Sequence, residues 1–331
     1  MKKQYTVGGL FSGVGGIELG FQKAGFKINW SNEIDKHCAI TYRNNFDHTL
    51  FEEGIESIKG INLKPVDVLC GGFPCQAFSV AGYRKGFDDE RGNLFFEIIR
   101  LIKELKVKPK VLFLENVKNL KTHDKGNTFK VICQEIYKLG YSIFSDVLNT
   151  CEYTKIPQNR ERTFLICFKD EKDWDFNPKN NKYSGDFSEL FPPSKNNKID
   201  HISMYLEKNV DDKYYYRQDK YMYEELRKTI KSKDTLYQWR RVYVRENKSN
   251  MCPTLTANMG TGGHNVPLLK DELGIRKLTP RECFNFQGFP KNFVLSKDLP
   301  NTQLYKQSGN AVTVPLITKL AKNIKHVLDK N

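Results

Sequence analysis

Short apolar runs alternate with helical stretches through the first ~170 residues, and this rhythm limits the fold more than any other feature. Tyr5–Phe11 reads as a strand and Ile17–Ala24 as a helix. Lys27–Ser31 and Lys36–Asn44 repeat the pair. Val66–Cys70 is a short buried strand, and Gly92–Leu105 carries Leu94, Phe95, Ile98, Ile99, Leu101, Ile102 and Leu105 at helical spacing. Val111–Leu114 reads as a strand, Thr128–Leu139 as a helix, and Ser142–Leu148 and Thr163–Phe168 as strands. Such alternation buries its apolar faces best as an α/β, doubly wound, largely parallel sheet covered by helices.

The rhythm stops near Asp170. From there to about Gly274 the chain is rich in Lys, Asn, Asp and Tyr, with loop signals at Pro192-Pro193 and Asn196-Asn197. This stretch reads as a smaller, irregular domain. After Arg276 the apolar pattern returns, and Val312–Val327 reads as a closing helix. The expected division is a catalytic part, residues 1–175 plus 303–331, and a recognition part with its hinge, residues 176–302.

The chain carries 53 basic and 39 acidic residues, a net charge of +14. An excess of this size suits a polyanionic partner, most simply nucleic acid, although Lys-rich proteomes also yield basic proteins of other kinds. Residues 170–275 hold 18 basic and 17 acidic residues, so the excess lies in the α/β part. No apolar run is long enough to span a membrane. The first five residues lead straight into a strand, without a secretory cleavage pattern. The eight cysteines (Cys38, Cys70, Cys75, Cys133, Cys151, Cys167, Cys252, Cys283) are scattered, with no CxxC pair. That argues against a zinc knuckle or disulfide framework and for a reduced, cytoplasmic chain without metal. Cys133 and Cys167 sit in apolar runs and read as core residues.

Phe11-Ser12-Gly13-Val14-Gly15-Gly16 joins the first strand to the first helix. Glycines there permit a tight turn and close approach of a ligand, though a plain structural turn would look the same. A dinucleotide fingerprint would need glycine where Glu18 stands. A carboxylate at that point repels a pyrophosphate but tolerates a cationic nucleoside such as S-adenosylmethionine. Glu33 follows the second strand, where an acid can take ribose hydroxyls. Asp67 opens the third, read as lying at the same edge and able to accept from an adenine amino group.

Asp67-Val68-Leu69-Cys70 runs through Gly71-Gly72, read as a turn, into Phe73-Pro74-Cys75-Gln76. That puts Cys75 at the carboxyl end of a strand, where open α/β sheets bind ligands and a thiolate can act as nucleophile. With Ala77-Phe78-Ser79 the segment resembles the active-site motif of the DNA cytosine-5 methyltransferases. Other blocks similar to that family follow in its order: Phe11–Gly16, Glu115-Asn116-Val117, Gln158-Asn159-Arg160-Glu161-Arg162, Arg276–Pro290 and Gln307-Ser308-Gly309-Asn310-Ala311-Val312. Two departures are mild. The acid often found before the Leu-Phe of the glycine turn is Gly9, and the aromatic that often follows the ribose acid is Ile34.

The resemblance implies a Rossmann-like S-adenosylmethionine-dependent methyltransferase fold, with S-adenosylhomocysteine as product. It places Phe11, Gly13, Val14, Gly16, Glu33, Ile34, Asp67, Val68, Pro74, Leu94, Asn310 and Val312 around the cofactor. It implies that Cys75 adds to cytosine C6, making C5 nucleophilic. Glu115 then donates to N3 and accepts from the amino group, Arg162 holds O2, and Arg160 assists or binds phosphate. Read without the family, Arg160 and Arg162 would be a solvated charged loop. Water or hydroxide is the expected base for H5.

C5 is out of reach inside a duplex, so the resemblance also implies base flipping, with Ser79–Asp89 as a lid in which Ser79 and Arg84 meet DNA. Arg227–Lys248, with eight basic residues against two acids, includes Arg240 and Arg241 as backbone contacts, or else is a solvated surface. Thr254, Thr256, Asn258, Gly262, Gly263 and His264 resemble a target-recognition loop.

The expected protein is a monomeric, sequence-specific methyltransferase of double-stranded DNA that protects it from a cognate restriction endonuclease. A tRNA cytosine-5 methyltransferase is the alternative. A noncatalytic DNA-binding scaffold would not need Cys75, Glu115 and Arg162, and a small-molecule methyltransferase would not need the basic surface. The bases of the target site are not legible in the sequence.

Overall fold

The computed structural model describes residues 4–73, 94–169, 176–177, 182–183, 190–191, 198–220, 222–240, 243–247, 250–261 and 266–330. The α/β part contains β1 (Thr6–Leu10), α1 (Gly16–Lys23), β2 (Lys27–Asn32), α2 (Lys36–Arg43), β3 (Thr49–Phe51), β4 (Val68–Gly72), α3 (Leu94–Glu104), β5 (Val111–Val117), α4 (Asn127–Lys138), β6 (Tyr141–Asn149), the single turn α5 (Thr150–Tyr153) and β7 (Glu161–Lys169). Among the described residues the sheet has the order β3-β2-β1-β4-β5-β7-β6. Its first five strands run parallel, while β7 lies antiparallel to both β5 and β6. The chain winds outward from β1 to β3, then jumps to β4 on the other side of β1. That reversal opens a crevice at the carboxyl ends of β1 and β4.

Strand alternation builds two cores. Leu69, Leu112 and Leu114 point to the face covered by α3 and α4, with Ile98, Ile102, Ile132 and Ile136. Val68, Cys70, Val111 and Phe113 point to the opposite face, with Phe21 of α1. Side chains buried on both faces explain why these strands read as continuous apolar runs rather than as alternating ones. The glycine pair read as a turn instead extends β4: Gly71 pairs with Leu10 and Leu114, and Gly72 with Glu115. A Cβ on Gly71 would lie 2.8 Å from the Leu10 carbonyl oxygen, so only glycine lets the strand pack this tightly.

The polar middle of the chain is more regular than its sequence suggests. β8 (Phe176–Asn177) pairs with β9 (Lys182–Tyr183). β10 (Tyr215–Tyr216), β11 (Leu236–Arg240), β12 (Tyr243–Asn247), β13 (Leu268–Lys270) and β14 (Ile275–Lys277) form an antiparallel sheet in the order β10-β14-β13-β11-β12. The short helix α6 (Tyr223–Thr229) supplies Leu226 to its core.

Three helices close the chain: α7 (Pro280–Phe286), α8 (Asn301–Asn310) and α9 (Val314–Lys330). Thr279 and Glu282 form a capping box on α7, and Glu282 also meets Arg276 through two contacts of 2.8 Å, both side chains buried. Much of the Arg276–Pro290 block therefore serves folding. Ile317, Leu320 and Ile324 of α9 pack on the α1 face of the sheet. The closing helix starts at Val314, later than its periodicity suggested, because Val312 and Thr313 line a turn between two helices.

Candidate active site

A cavity of about 390 Å3 opens at the switch point, within the range that accommodates a nucleoside-sized ligand. The turn after β1 contributes Phe11 to Val14 and Gly16, the segment after β2 contributes Glu33 and Asp35, the end of β4 contributes Gly72 and Phe73, and β5 contributes Glu115 to Val117. Lys306, Gln307 and Gly309 to Val312 close it from α8 and the turn beyond.

The turn after β1 is backbone-controlled. Phe11, Gly13 and Gly15 all have left-handed φ values, +51°, +56° and +83°. A side chain on Gly15 would collide with the Phe46 ring, whereas a Cβ on Gly13 would meet no atom within 4 Å. Gly13 therefore leaves room for a ligand against bare backbone. Glu33 supports the turn: its Oε2 accepts from the Gly13 amide at 2.6 Å and its Oε1 from the Asp35 amide at 2.7 Å. Burial raises the Glu33 pKa above the ordinary carboxylate range, opposed by those amides. The remaining lone pairs suit ribose hydroxyls, and the buried Ser12 hydroxyl lacks a partner among the described residues. This donor set fits a nucleoside cofactor.

Glu115 sits one strand further along, opposite Phe164 in the β5–β7 register. Because β7 is antiparallel, its beginning lies beside the end of β5, which brings Arg162 to the same edge. Arg162 Nε lies 3.1 Å from Glu115 Oε1, with both side chains largely buried. Burial raises the Glu115 pKa, with Arg162 and then Arg160 opposing it. The carboxyl is thus biased toward holding a proton while its partner cation stays in place. Asn116 donates to the Phe73 carbonyl at 2.8 Å, and its own Oδ1 accepts from the Val117 amide at 2.8 Å. It thereby anchors the chain two residues before Cys75.

A family model of C-5 cytosine-specific DNA methylases matches residues 5–326. The chain belongs to that family. Members draw the methyl group from S-adenosylmethionine. The methylase is 52% identical over 321 residues to type II methyltransferase M.Bsp6I of Bacillus sp. (strain RFL6), covering 96% of this chain and 98% of the relative. It is 38% identical to type II methyltransferase M1.ScrFI of Lactococcus lactis subsp. cremoris, over 99% of this chain and 80% of the relative. Its fold matches the S. pombe Dnmt2 methyltransferase with a TM-score of 0.74 at 17% identity, over 98% and 99% of the two chains. The enzyme is a DNA (cytosine-5) methyltransferase, and the tRNA alternative is not favoured.

The methylase does not gather every residue its sequence suggested. Phe11, Gly13, Val14, Gly16, Glu33, Asn310 and Val312 line the cavity. Asp67 does not. It precedes the first residue of β4, so it lies at the amino end of a parallel strand, while the cavity lies at the carboxyl ends. There it accepts from the Thr6 amide at 2.9 Å and meets Lys110 at 3.3 Å. Val68 is core, Leu94 packs against the α3–α4 core, and Ile34 is 64% exposed beside Glu33. Cys75, Pro74, Ser79, Arg84, Arg241, Gly262, Gly263 and His264 lie outside the described residues.

Arg160 is neither a phosphate ligand nor a solvated charge. It is 1% exposed and donates to the carbonyls of Leu255, Gly309 and Ala311 at 2.8, 2.9 and 2.6 Å. Burial, then the Arg162 charge, pushes its pKa down, and Glu115 opposes that. Its fork joins the Thr254–Asn258 loop to the cavity wall. Gly309 permits that junction, since a Cβ there would collide with the Thr256 carbonyl. Thr254 Oγ1 donates to the Asn159 carbonyl, and Thr256 Oγ1 to Asn258 Oδ1 at 2.7 Å. Thr256, Asn258 and Arg240 are exposed. Arg160→Ala is expected to cost roughly 3 kcal/mol or more by stranding three carbonyls, read as an earlier urea midpoint.

Sequence reasoning placed Gln307 in a family block without singling it out as a cavity residue, and missed Lys306. Lys306 pairs with Asp35 at 2.8 Å, and Gln307 bridges the Thr41 hydroxyl and the His37 carbonyl, both at 2.9 Å. Polar residues inside the Gln307–Val312 block were the available signal.

Proposed function

We propose that the switch-point cavity holds S-adenosylmethionine against the glycine turn and that the Glu115–Arg162 pair receives a cytosine flipped from duplex DNA. The observation that carries this reading is the placement of that ion pair on the wall of the cavity that contains Glu33 and Gly13. Glu33 would take the ribose, and the turn backbone would lie along the ligand. S-adenosylmethionine supplies an electrophilic methyl group.

The remaining chemistry belongs to the chain. The Cys75 thiolate adds to C6, and the C5–C6 electron pair becomes nucleophilic at C5. Negative charge then grows toward N3 and O2. The Glu115 carboxyl donates at N3, and Arg162 meets O2. After C5 has bonded to the methyl group, water or hydroxide takes H5, the C–H electron pair restores the C5–C6 double bond, and the thiolate leaves C6. Flipping is required because the stacked base hides both faces of C5, and its cost of about a few kcal/mol is offset by contacts to the extruded base. Residues 176–302 form the recognition part, with Thr256 and Asn258 presented to the groove on the loop that Arg160 clamps. The methylase works as a cytoplasmic monomer without a metal and protects DNA from a cognate restriction endonuclease.

The test supplies S-adenosylmethionine carrying a labelled methyl group, with duplex DNA and tRNA as separate acceptors and bisulfite sequencing of the DNA. Label at C5 in one short recurring duplex site is expected, and label in tRNA alone would refute the DNA reading. Glu33→Gln should weaken cofactor binding by roughly 10- to 100-fold through loss of charge-assisted bonds, measured by calorimetry with S-adenosylhomocysteine.

A further inference from the structure

Directly beneath the glycine turn lies a polar cluster that the mechanism does not use. Glu18, in the first turn of α1, is 1% exposed. Its Oε1 accepts from the Ser31 hydroxyl at 3.5 Å, and the Tyr42 hydroxyl donates to Ser31 Oγ at 2.6 Å. His48 Nε2 lies 2.7 Å from the Tyr42 hydroxyl and 3.2 Å from Ser31 Oγ itself. The other carboxyl oxygen, Oε2, is buried without a hydrogen-bond partner among the described residues, as is the Ser12 hydroxyl. Ser12 lines the cavity.

The carboxyl also fills a vacancy. A Cβ on Gly9 would collide with Glu18 Oε1 and come within 2.9 Å of both the Ser12 and Ser31 hydroxyls. Glu18 therefore reaches from the helix into the space beside the end of β1 that a side chain at position 9 would occupy. The titratable groups facing it are Glu33, Tyr42 and Cys70, with His48 one hydroxyl away through Ser31. No lysine or arginine pairs with it among the described residues. An ionised carboxylate in that dry space would have hydroxyl donors but no cation to offset its burial.

We propose that Glu18 is a positioning residue for the cofactor turn and acts in its neutral form: its carboxyl donates to Ser12, which turns its own hydroxyl proton toward the cavity. Burial raises the Glu18 pKa to about 7, opposed first by the Ser12 hydroxyl, so ionisation falls in an accessible range. Above it the carboxylate accepts the Ser12 proton instead, and the hydroxyl no longer donates toward the cavity. The inference rests on the cavity being the cofactor site.

Calorimetry of the full chain with S-adenosylhomocysteine from pH 6 to 9 tests it. Wild type should weaken by about tenfold across that range as Glu18 ionises. Glu18→Gln, which holds the neutral state, should lose that component of the profile, leaving the part due to other groups such as Glu33. Glu18→Ala should bind weakly throughout, with thermal melting confirming a folded protein. Matching profiles in wild type and Glu18→Gln would overturn this inference alone. Affinity for S-adenosylmethionine that climbs with pH in wild type and not in Glu18→Gln would overturn it in favour of a counter-charge. No S-adenosylhomocysteine binding by wild type would overturn the cofactor reading and this inference together.

Discussion

Cys75→Ser is expected to slow methyl transfer to duplex DNA by about 10^4-fold or more, because a serine hydroxyl is a far weaker nucleophile toward C6 than a thiolate. The effect should fall on kcat. The measurement is labelled-methyl incorporation under single-turnover conditions, followed by denaturing electrophoresis. Wild type should yield a protein–DNA adduct with DNA in which C5 carries fluorine, since fluorine cannot leave as H5 does, and Cys75→Ser should yield none. An adduct in the serine variant would move the nucleophile elsewhere.

Glu115→Gln should lower kcat by roughly 10^2- to 10^4-fold, the usual share of a positioned general acid. The amide can still donate a hydrogen bond toward N3 but cannot deliver a proton. Burial raises the Glu115 pKa, and Arg162 restrains that rise. As pH climbs through the raised value the carboxyl ionises and the donor to N3 is lost. Wild-type kcat should therefore decline on the alkaline side, and Glu115→Gln should flatten that limb. A variant with an unchanged alkaline limb would remove Glu115 from the proton path. Arg162→Lys should have a smaller effect, because a lysine keeps the charge but not the planar fork.

Arg162 was named only through the family block it belongs to, whereas the glycine turn, Glu33 and Glu115 were legible in the sequence for one physical reason. Each stands just beyond, or at the rim of, a strand whose apolar run marks where the sheet ends, and open sheets bind ligands at that rim. The same logic failed for Asp67, which touches a strand at its amino end. Arg160 and Arg162 look alike in sequence, two charged residues flanking Glu161. Burial separates them, one closing on three carbonyls and the other pairing with Glu115. The antiparallel sheet of the polar region was not legible because its strands are two to five residues long. Such strands carry too little alternation to register as a period, and their partners are distant in sequence.

The sequence by itself determined the class of fold, the order of its βα units, the glycine turn and the family, because these depend on local periodicity and on short motifs whose backbone and side-chain needs are local. Tertiary structure alone decided that β7 runs antiparallel and so delivers Arg162 to Glu115, and that Arg160 clamps the Thr254–Asn258 loop to the cavity wall. It also decided that Lys306 and Gln307 close the site and that Glu18 fills the space beside Gly9. Those facts join residues up to about 270 positions apart, and nothing in a local pattern specifies which distant group will supply a buried polar atom with its partner.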